Sequence, residues 1–353
     1  YTTLFRSPKS IRIERNMSSN VKTKPVDERT KTHADRILDV RNLRVSYETS
    51  GGHVRAVNDV SFFLRPSERL GLVGESGSGK TTMALSLMRL LQSPAVIEGG
   101  QVLLDGVDLL SLSEEEMRRA RLADIALIPQ GAMNSLNPML KVGEQLRDAV
   151  TAHMDSESKT SRDARILDVL ASVELSANVI NAYPHELSGG MKQRVCIAMG
   201  ILLKPKVIIA DEPTSALDVV VQRQVMETLG RVQSELGASI ILVGHDMGLM
   251  AQFVDRVGVM YGGKLVEVSP VREIFKDPLH PYTQLLIGSL PTLQTKENFK
   301  GISGMTPSLL TPPSGCMFHP RCPQVLPHCQ VEIPPLVEIK PDRWVACHLY
   351  NGS

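Results

Sequence analysis

Apolar runs alternate with polar, glycine-containing segments along most of the chain, and their lengths predict both strands and helices. Residues 39–45 and 54–64 mix β-branched with polar side chains, which predicts two antiparallel strands. Residues 70–73 form a short apolar run, typical of a buried strand, and residues 81–91 are apolar over a length that suits a helix. A buried strand followed directly by an apolar helix indicates an α/β fold.

A glycine-rich loop joins this strand to this helix. Its sequence, GESGSGKT at residues 74–81, fits the phosphate-binding pattern G-x-x-x-x-G-K-[ST] in the strand–loop–helix context that the pattern requires. Glycines let backbone N–H groups curl around phosphate oxygens, and the helix N-terminus adds a partial positive charge. Lys80 can reach the β- and γ-phosphates, and the Thr81 hydroxyl can hold Mg²⁺. A chance match in a chain of this length is on the order of one per cent, so we expect a nucleotide site rather than an empty turn. Its predicted contacts are Gly74, Glu75, Ser76, Gly77, Ser78, Gly79, Lys80, Thr81 and Thr82.

A second glycine motif and an acidic pair follow later in the chain. Ser188-Gly189-Gly190 opens an apolar helix that is expected to run to about Leu203, although a Ser N-cap followed by glycines is common at helix starts. Asp211 and Glu212 end an apolar strand, and the C-terminal ends of strands in α/β sheets are where ligands bind. We infer that Asp211 faces Mg²⁺ and that Glu212 is the general base for an attacking water. The alternative, two solvated loop acids, fits poorly because an apolar strand aims them inward.

Composition and charge narrow the class of protein. The chain has 353 residues, of which 42% are hydrophobic and 22% charged, a balance typical of a soluble globular protein with an ample core. Lys and Arg total 39 and Asp and Glu 38, and the resulting net charge of +1 gives no support to a nucleic-acid partner. No apolar run is long enough to span a membrane.

The N-terminal residues are polar and basic and lack the apolar core of a signal peptide. We expect residues 1–35 to be a disordered leader. Residues 1–7 match a reading frame of a common sequencing adapter, so native translation is expected to begin at Met17. Without an export signal the chain is expected to stay in the reducing cytosol, where stable disulfides are rare.

The C-terminal region differs in composition from the rest. A strand pair is predicted within residues 257–268, followed by a short helix bracketed by prolines, and Pro, Gly and Ser become dense from Pro291 onward. This change predicts a linker and then a compact loop-rich module. We place the domain boundary near residue 289, between a main domain over residues 36–288 and an extension over residues 289–353.

Four of the five cysteines lie in this extension and are expected to be metal ligands rather than cross-links. They are Cys316, Cys322, Cys329 and Cys347. Structural zinc sites favour close C-x₂₋₄-C pairs, whereas the intervals here are wider. An iron–sulfur cluster is larger and also takes four thiolates, but spacing alone does not decide between the two metals. The fifth, Cys196, occupies an apolar helical position and is interpreted as core.

In combination, these motifs resemble the nucleotide-binding subunit of an ATP-binding-cassette (ABC) transporter, most closely the dipeptide/oligopeptide importer branch. The resemblance covers about residues 36–350 and depends on the phosphate loop at 74–81, LSGGM at 187–191, the acidic strand end at 211–212 and SALD at 215–218. It implies a RecA-like core with an antiparallel β subdomain and a helical signature subdomain, followed by the small cysteine module. One departure from the branch is Gly-Ala-Met at residues 131–133, where Asp or Glu followed by Pro is frequent.

The resemblance also implies roles for individual residues. Tyr47 would stack on adenine, Gln130 would touch Mg²⁺ and the attacking water, and His245 would contact the γ-phosphate. Ser188, Gly189 and Gly190 of one chain would close over ATP held by a second ATPase chain, with Asp218 in the adjoining D-loop. Taken alone, Tyr47 is more often a half-buried strand residue and His245 a core histidine. The Mg²⁺ ligands implied are Thr81, Gln130 and Asp211.

The function implied is ATP hydrolysis at the cytoplasmic face of the cell membrane, where the subunit is peripheral. Its partners would be a second, distinct ATPase, two membrane permease subunits and, indirectly, an extracytoplasmic solute-binding protein. The solute would be a di- or oligopeptide, with nickel chelates and oligosaccharides as alternatives in the same branch. A soluble ABC ATPase outside transport, or a nucleotide-gated module without turnover, is a further alternative. The same branch, with this cysteine pattern, implies a [4Fe–4S] cluster on the four tail cysteines, with Zn²⁺ as the rival.

Overall fold

The computed structural model describes residues 35–131, 135–154, 157–215, 217–290 and 301–350. Residues 1–34 of the predicted leader over residues 1–35 lie outside the described residues, as do the unusual Ala132 and Met133. Among the residues described, no helix combines the length and apolar character needed to cross a membrane.

Strands and helices alternate through the described chain. In chain order they are β1 (Leu38–Thr49), β2 (Gly52–Leu64), β3 (Arg69–Val73), α1 (Lys80–Leu87), β4 (Ala95–Leu104), β5 (Val107–Asp108), α2 (Glu114–Ala123), β6 (Ile125–Ile128), α3 (Val142–Thr151), α4 (Lys159–Ser172), α5 (Gly189–Ile201), β7 (Val207–Asp211), α6 (Val219–Leu236), β8 (Ser239–Val243), α7 (Met247–Phe253), β9 (Arg256–Tyr261), β10 (Lys264–Pro270), α8 (Val271–Lys276), α9 (Pro281–Gly288), β11 (Val337–Lys340) and β12 (Arg343–Val345).

The larger sheet has the strand order β11-β12-β10-β9-β3-β8-β7-β6. The five strands from β9 to β6 are parallel, and β10, β12 and β11 continue the sheet in antiparallel pairing. Strands β7 and β8 are buried along their whole length, which explains why the sequence shows them as continuous apolar runs. Because parallel strands end at the same edge, the segments after β3, β6, β7 and β8 all meet there.

A four-stranded antiparallel sheet, in the order β2-β1-β4-β5, shares a buried cluster with one face of the large sheet. The predicted antiparallel pair is confirmed, with Leu38 opposite Leu64 and Thr49 opposite Gly52. Apolar residues of this sheet, such as Val45 and Val57, share one buried cluster with Leu72 of β3. The opposite face of the large sheet shares a second cluster with α3, α4 and α5. The expected α/β fold with an antiparallel β subdomain and a helical subdomain is confirmed.

Two helices are shorter than their apolar patterns predict. The first ends at Leu87 rather than Leu91, because Arg89 adopts a positive φ of 52° and breaks the helical path. The second ends at Ile201, two residues before the predicted Leu203. The second difference is within the one or two residues by which helix ends are uncertain, whereas the first exceeds it and has the local cause given above.

The C-terminal extension joins the main sheet. Glu267 of β10 is paired with Val345 of β12, and β11 pairs with β12 at the outer edge. The extension is otherwise rich in loops, as expected. Residues 291–300 lie outside the described residues, so the boundary near residue 289 stays a prediction.

Candidate nucleotide site

The phosphate loop runs from the end of β3 to the start of α1, and its shape requires glycine at two positions. A Cβ on Gly74 would lie 2.2 Å from the Met260 carbonyl oxygen, and one on Gly79 would lie 2.1 Å from the Ala56 carbonyl oxygen. Both residues also have positive φ, 152° and 97°. At Gly77 a Cβ would meet nothing within 4 Å, so this part of the loop is open. The loop therefore forms a cradle with its backbone exposed to a ligand.

Lys80 lies inside this loop. Its Nζ donates to the carbonyl oxygens of Gly74 at 2.8 Å and of Glu75 at 2.9 Å. Burial lowers the pKa of Lys80, and the nearby carboxylates of Glu212 and Asp211 act in the opposite direction. Nζ also donates to the Ser78 hydroxyl at 3.4 Å. A cation held by neutral carbonyl and hydroxyl oxygens is available for phosphate oxygens.

Asp211 and Thr81 form an oxygen-rich pair at the edge of the sheet. The Thr81 hydroxyl lies 3.3 Å from Oδ1 of Asp211, whose side chain is almost fully buried. Burial raises the pKa of Asp211 to about 6, although Thr81 and Lys80 lower it. A carboxylate and a hydroxyl are ligands that Mg²⁺ prefers, so the donor set fits this ion.

Glu212 lies between two polar side chains from neighbouring strand ends. Gln130 donates from Nε2 to Oε2 of Glu212 at 2.9 Å, and Nδ1 of His245 lies 3.3 Å from Oε1. The backbone of Glu212 has a φ of 43°, a left-handed conformation that costs an ordinary residue about 1–2 kcal/mol. This conformation turns the chain sharply after β7. The side chains of the adjacent Asp211 and Glu212 therefore have different partners: Asp211 lies beside Thr81, and Glu212 lies between Gln130 and His245.

A cavity of about 870 Å³ brings most of the predicted site residues together. It is lined by Tyr47, the loop from Gly74 to Thr82, Gln130, Glu212 and His245. The Tyr47 hydroxyl lies 3.2 Å from Oγ1 of Thr82. The cavity is large enough for a ligand of nucleotide size.

Three lining residues were not predicted from the sequence. Val54 and Ala56 come from β2, and Leu286 comes from α9 near the start of the extension. They are ordinary apolar residues at positions without a motif, so no sequence signal marks them.

The second glycine motif lines a different cavity. Ser188 caps α5 by accepting a hydrogen bond from the Met191 N–H, and Asp218 caps α6 in the same way. Ser188, Gly189, Gly190 and Asp218 line a cavity of about 600 Å³ that shares no lining residue with the first. Within one chain, the second glycine motif therefore does not line the cavity of the phosphate loop.

The four tail cysteines lie near one another, three of them within residues 316–329 and the fourth at residue 347. The Cys316 N–H donates to the Cys329 carbonyl oxygen at 2.8 Å, and Cys329 and Cys347 are both buried. Burial raises the pKa of the Cys347 thiol to about 11, with smaller contributions from the other three thiols. Cys196 is fully buried in the core, as predicted.

The described residues contain one group of three metal-ligating side chains whose ligand atoms all lie within 4.8 Å of one another. It consists of His328, Cys329 and His348, so it includes only one of the tail cysteines. Neither histidine was predicted from the sequence as a ligand. The centroids of the two histidine rings are 4.5 Å apart, and Nε2 of His348 lies 3.0 Å from the Glu332 carbonyl oxygen. His348 therefore packs close to the short helix at residues 327–330.

Two family models match the chain. Residues 57–215 match the ABC transporter model, and residues 266–329 match the model of the oligopeptide/dipeptide transporter C-terminal region. The first range holds the phosphate loop, Glu212 and the second glycine motif. The second holds α9 and three of the four tail cysteines.

Several characterised relatives match most of the chain. It is 44% identical to the oligopeptide transport ATP-binding protein OppD of Escherichia coli over 89% of this chain and 93% of that protein. It is 43% identical to the dipeptide transport ATP-binding protein DppD of Caldanaerobacter subterraneus over 89% of this chain and 97% of that protein.

Solved structures of similar fold are also found. A dimeric bacterial ABC transporter cassette, MJ0796, superposes with a TM-score of 0.59 at 28% identity, covering 67% of this chain and 99% of that chain. The same cassette in a dimeric post-hydrolysis state, bound to ADP and phosphate, gives a TM-score of 0.60 at 27% identity over the same shares. Fold, site geometry and sequence agree, and the chain belongs to the family of ABC transporter ATP-binding proteins, on the branch that includes the oligopeptide and dipeptide transport proteins.

Proposed function

We propose that this chain is the ATP-hydrolysing subunit of a peptide importer. The observation that carries the proposal is the placement of Glu212 between Gln130 and His245, in the same cavity as the phosphate loop with Lys80. The names of the relatives support a di- or oligopeptide as the solute. A nickel chelate and an oligosaccharide are the alternatives, because the described residues show no feature that distinguishes these solutes.

Each polar side chain of the cavity has a distinct task in this proposal. Lys80 exchanges its carbonyl partners for phosphate oxygens, and the loop N–H groups bind the remaining phosphate charge. Glu212 accepts the proton of the attacking water, and Gln130 and His245 hold its two carboxylate oxygens in position. Thr81, Asp211 and Gln130 would hold Mg²⁺, which neutralises charge on the transferred phosphoryl group. Tyr47, which also lines the cavity, offers a ring for adenine.

A complete site requires a second ATPase chain. The cavity at Ser188, Gly189, Gly190 and Asp218 is separate from the phosphate-loop cavity of the same chain, so each can be completed only from another chain. Both similar solved cassettes are dimeric, which agrees with this arrangement. We propose a distinct paralogous ATPase as the second chain, together with two membrane permease subunits and an extracytoplasmic solute-binding protein. The subunit would act from the cytoplasmic face of the cell membrane.

We further propose a [4Fe–4S] cluster on Cys316, Cys322, Cys329 and Cys347. Four sulfurs around one zinc ion lie about 3.8 Å apart, given Zn–S bonds of about 2.3 Å in a tetrahedron. No three of these sulfurs form a group within 4.8 Å, and the wider arrangement suits the larger cluster better. The proposed module over residues 289–353 has little core of its own, and ordering it is the simplest role for the group.

The substitution Glu212→Gln tests the proposed catalysis. It removes the base and leaves the phosphate cradle, so ATP binding should persist while hydrolysis in the assembled transporter falls roughly 10²–10⁴-fold. The measurement is steady-state phosphate release beside nucleotide binding by the same variant. Glu235→Gln, at an exposed position on α6, is the matched control and should retain wild-type turnover. Near-normal turnover by Glu212→Gln, with the partner's site separately inactivated, would refute the assignment.

A further inference from the structure

A buried arginine in the C-terminal extension contacts the phosphate loop directly. Arg321 donates from Nη1 to Oε2 of Glu75 at 2.8 Å and from Nη2 to Oε1 at 3.1 Å. The arginine side chain is only 5% exposed, although the two residues are 246 positions apart in the chain. Paired, parallel hydrogen bonds between a guanidinium and a carboxylate fix both groups in direction as well as distance.

The remaining donors of Arg321 are also used. Nη1 donates to the Tyr261 hydroxyl at 3.1 Å, Nη2 to the Ile302 carbonyl oxygen at 3.1 Å, and Nε to the Ser303 carbonyl oxygen at 3.0 Å. A guanidinium has five N–H groups, so all five are accounted for. Arg321 therefore ties the phosphate loop, β9 and the start of the extension together, a task that a lysine could not perform.

Glu75 is held from several directions. The Thr306 hydroxyl donates to Oε2 at 2.6 Å, and the Glu75 N–H donates to the Tyr282 hydroxyl at 2.9 Å. Burial alone would raise the pKa of Glu75, but the hydrogen bonds from Arg321 and Thr306 outweigh it and the pKa is lowered. Every one of these partners lies beyond residue 260, so the second residue of the phosphate loop is held by the C-terminal part of the chain.

The charge of Glu75 matters because of its position. It lines the cavity with Gly74 and Lys80, where a ligand would bring several negative charges. An unpaired carboxylate there would repel phosphate, and truncating one partner of a hydrogen-bonded charge pair leaves the other uncompensated. Arg321 removes that repulsion.

Arg321 is also next to the cysteine site. It lies in the turn at residues 319–321, directly before Cys322, and its N–H donates to the Phe318 carbonyl oxygen at 3.0 Å. Phe318 follows Cys316 by two residues and packs against Tyr261 and Tyr282. A rearrangement of the cysteine site would therefore displace Arg321.

We propose that the C-terminal extension controls nucleotide binding by the phosphate loop of its own chain, with Arg321 as the positioning residue that orients and neutralises Glu75. The proposal rests on the nucleotide site proposed above. Because coupling between two sites is reciprocal, a bound nucleotide stabilises the segment from Cys316 to Cys322 to the same extent that the ordered segment favours the nucleotide.

A double-mutant cycle on the full chain tests the charge coupling. Arg321→Gln should weaken binding of a fluorescent ATP analogue with Mg²⁺ by about tenfold or more. Glu75→Gln combined with Arg321→Gln should recover most of that loss, because the uncompensated carboxylate is gone. Arg343→Gln is the matched control: Arg343 is another buried arginine of the extension, paired with Glu273 and Asp277, and its loss should not change the affinity.

Hydrogen exchange of the wild-type chain provides a second readout that does not depend on a folded Arg321 variant. A saturating nucleotide should slow exchange of the backbone amides at residues 316–322 in the wild-type chain. Unchanged affinity in Arg321→Gln, equal losses in the single and double variants, or no protection in the wild type would each overturn the coupling. Failure of the wild-type chain to bind ATP would instead overturn the proposed nucleotide site.

Discussion

At the scale of single residues, Glu212 has a backbone conformation that could not be predicted from the neighbouring sequence. A glutamate at a φ of 43° is strained, and such strain persists only where surrounding contacts hold it. The Glu212 N–H donates to the Val243 carbonyl oxygen at 2.9 Å, which anchors the turn to β8. The strain directs the carboxylate to Gln130 and His245 while Asp211 stays beside Thr81.

His280 is a buried histidine whose protonation should affect stability. Its side chain is 1% exposed, and Nδ1 accepts a hydrogen bond from the Tyr282 N–H at 3.0 Å, capping α9. Burial lowers the pKa of His280 to about 3, against about 6.5 in the unfolded chain. The unfolded state therefore binds a proton that the folded state does not, and stability falls as pH drops below about 6.5.

The substitution His280→Asn tests this effect, since the Asn side-chain oxygen can also cap the helix but does not titrate. Below pH 6.5 the wild type should lose up to about 1.4 kcal/mol per pH unit more than the variant, measured by urea unfolding at pH 7.5 and 5.0. His185→Asn, at an exposed position, should follow the wild-type profile. Parallel profiles for wild type and His280→Asn would contradict the prediction.

At the scale of elements, the proposed cluster segment carries its own prediction. Protein purified without oxygen should be brown and contain iron and sulfide, as measured by absorption and metal analysis. Replacing any one of the four tail cysteines with serine should remove the brown colour, because each cysteine supplies a thiolate to the cluster. Cys196→Ser should not, since Cys196 is enclosed in the core.

Replacing His328 and His348 distinguishes the two candidate metal sites, the group of His328, Cys329 and His348 and the site of the four cysteines. If His328 and His348 ligate the metal together with Cys329, replacing both with Asn should remove it. If the four cysteines hold a cluster, the double variant should remain brown. Stoichiometric zinc without iron in anaerobic preparations would refute the cluster.

The elements also show what could be predicted from the sequence and why. The strand–loop–helix unit at the phosphate loop was predicted because its signals are local: a short apolar run, the glycines of the loop and a longer apolar run that suits a helix. The early end of α1 was not, because Arg89 turns away to donate to the Leu112 carbonyl oxygen and to pair with Glu114. Strands β11 and β12 were missed because they are only four and three residues long, and because β12 joins the main sheet through β10, where Glu267 lies opposite the distant Val345. The Glu75–Arg321 contact was likewise not predictable from the sequence, since the two residues are 246 positions apart and share no motif.

At the scale of the whole molecule, the separation of the two cavities predicts the behaviour of the isolated chain. It should be a monomer or weakly self-associated, with low ATPase activity, because the signature cavity and the phosphate-loop cavity share no lining residue. Light scattering and ATPase assays over a concentration series provide the measurement. Addition of the paralogous partner should raise the activity. Robust hydrolysis that does not depend on concentration would contradict this prediction.

Because the main sheet continues into the extension through β12, a truncated chain without the extension would have an open sheet edge. A truncation near residue 289 would remove β12 and leave the outer side of β10 open, including the backbone opposite Val345 and the Val266 carbonyl that accepts from Ala346. The exposed strand is largely apolar, and an open apolar edge is a template for pairing with other chains. A shortened chain that keeps every nucleotide motif would thus tend to aggregate through its sheet edge, so the segment after residue 289 protects the solubility of the ATPase portion as well as carrying the cysteines.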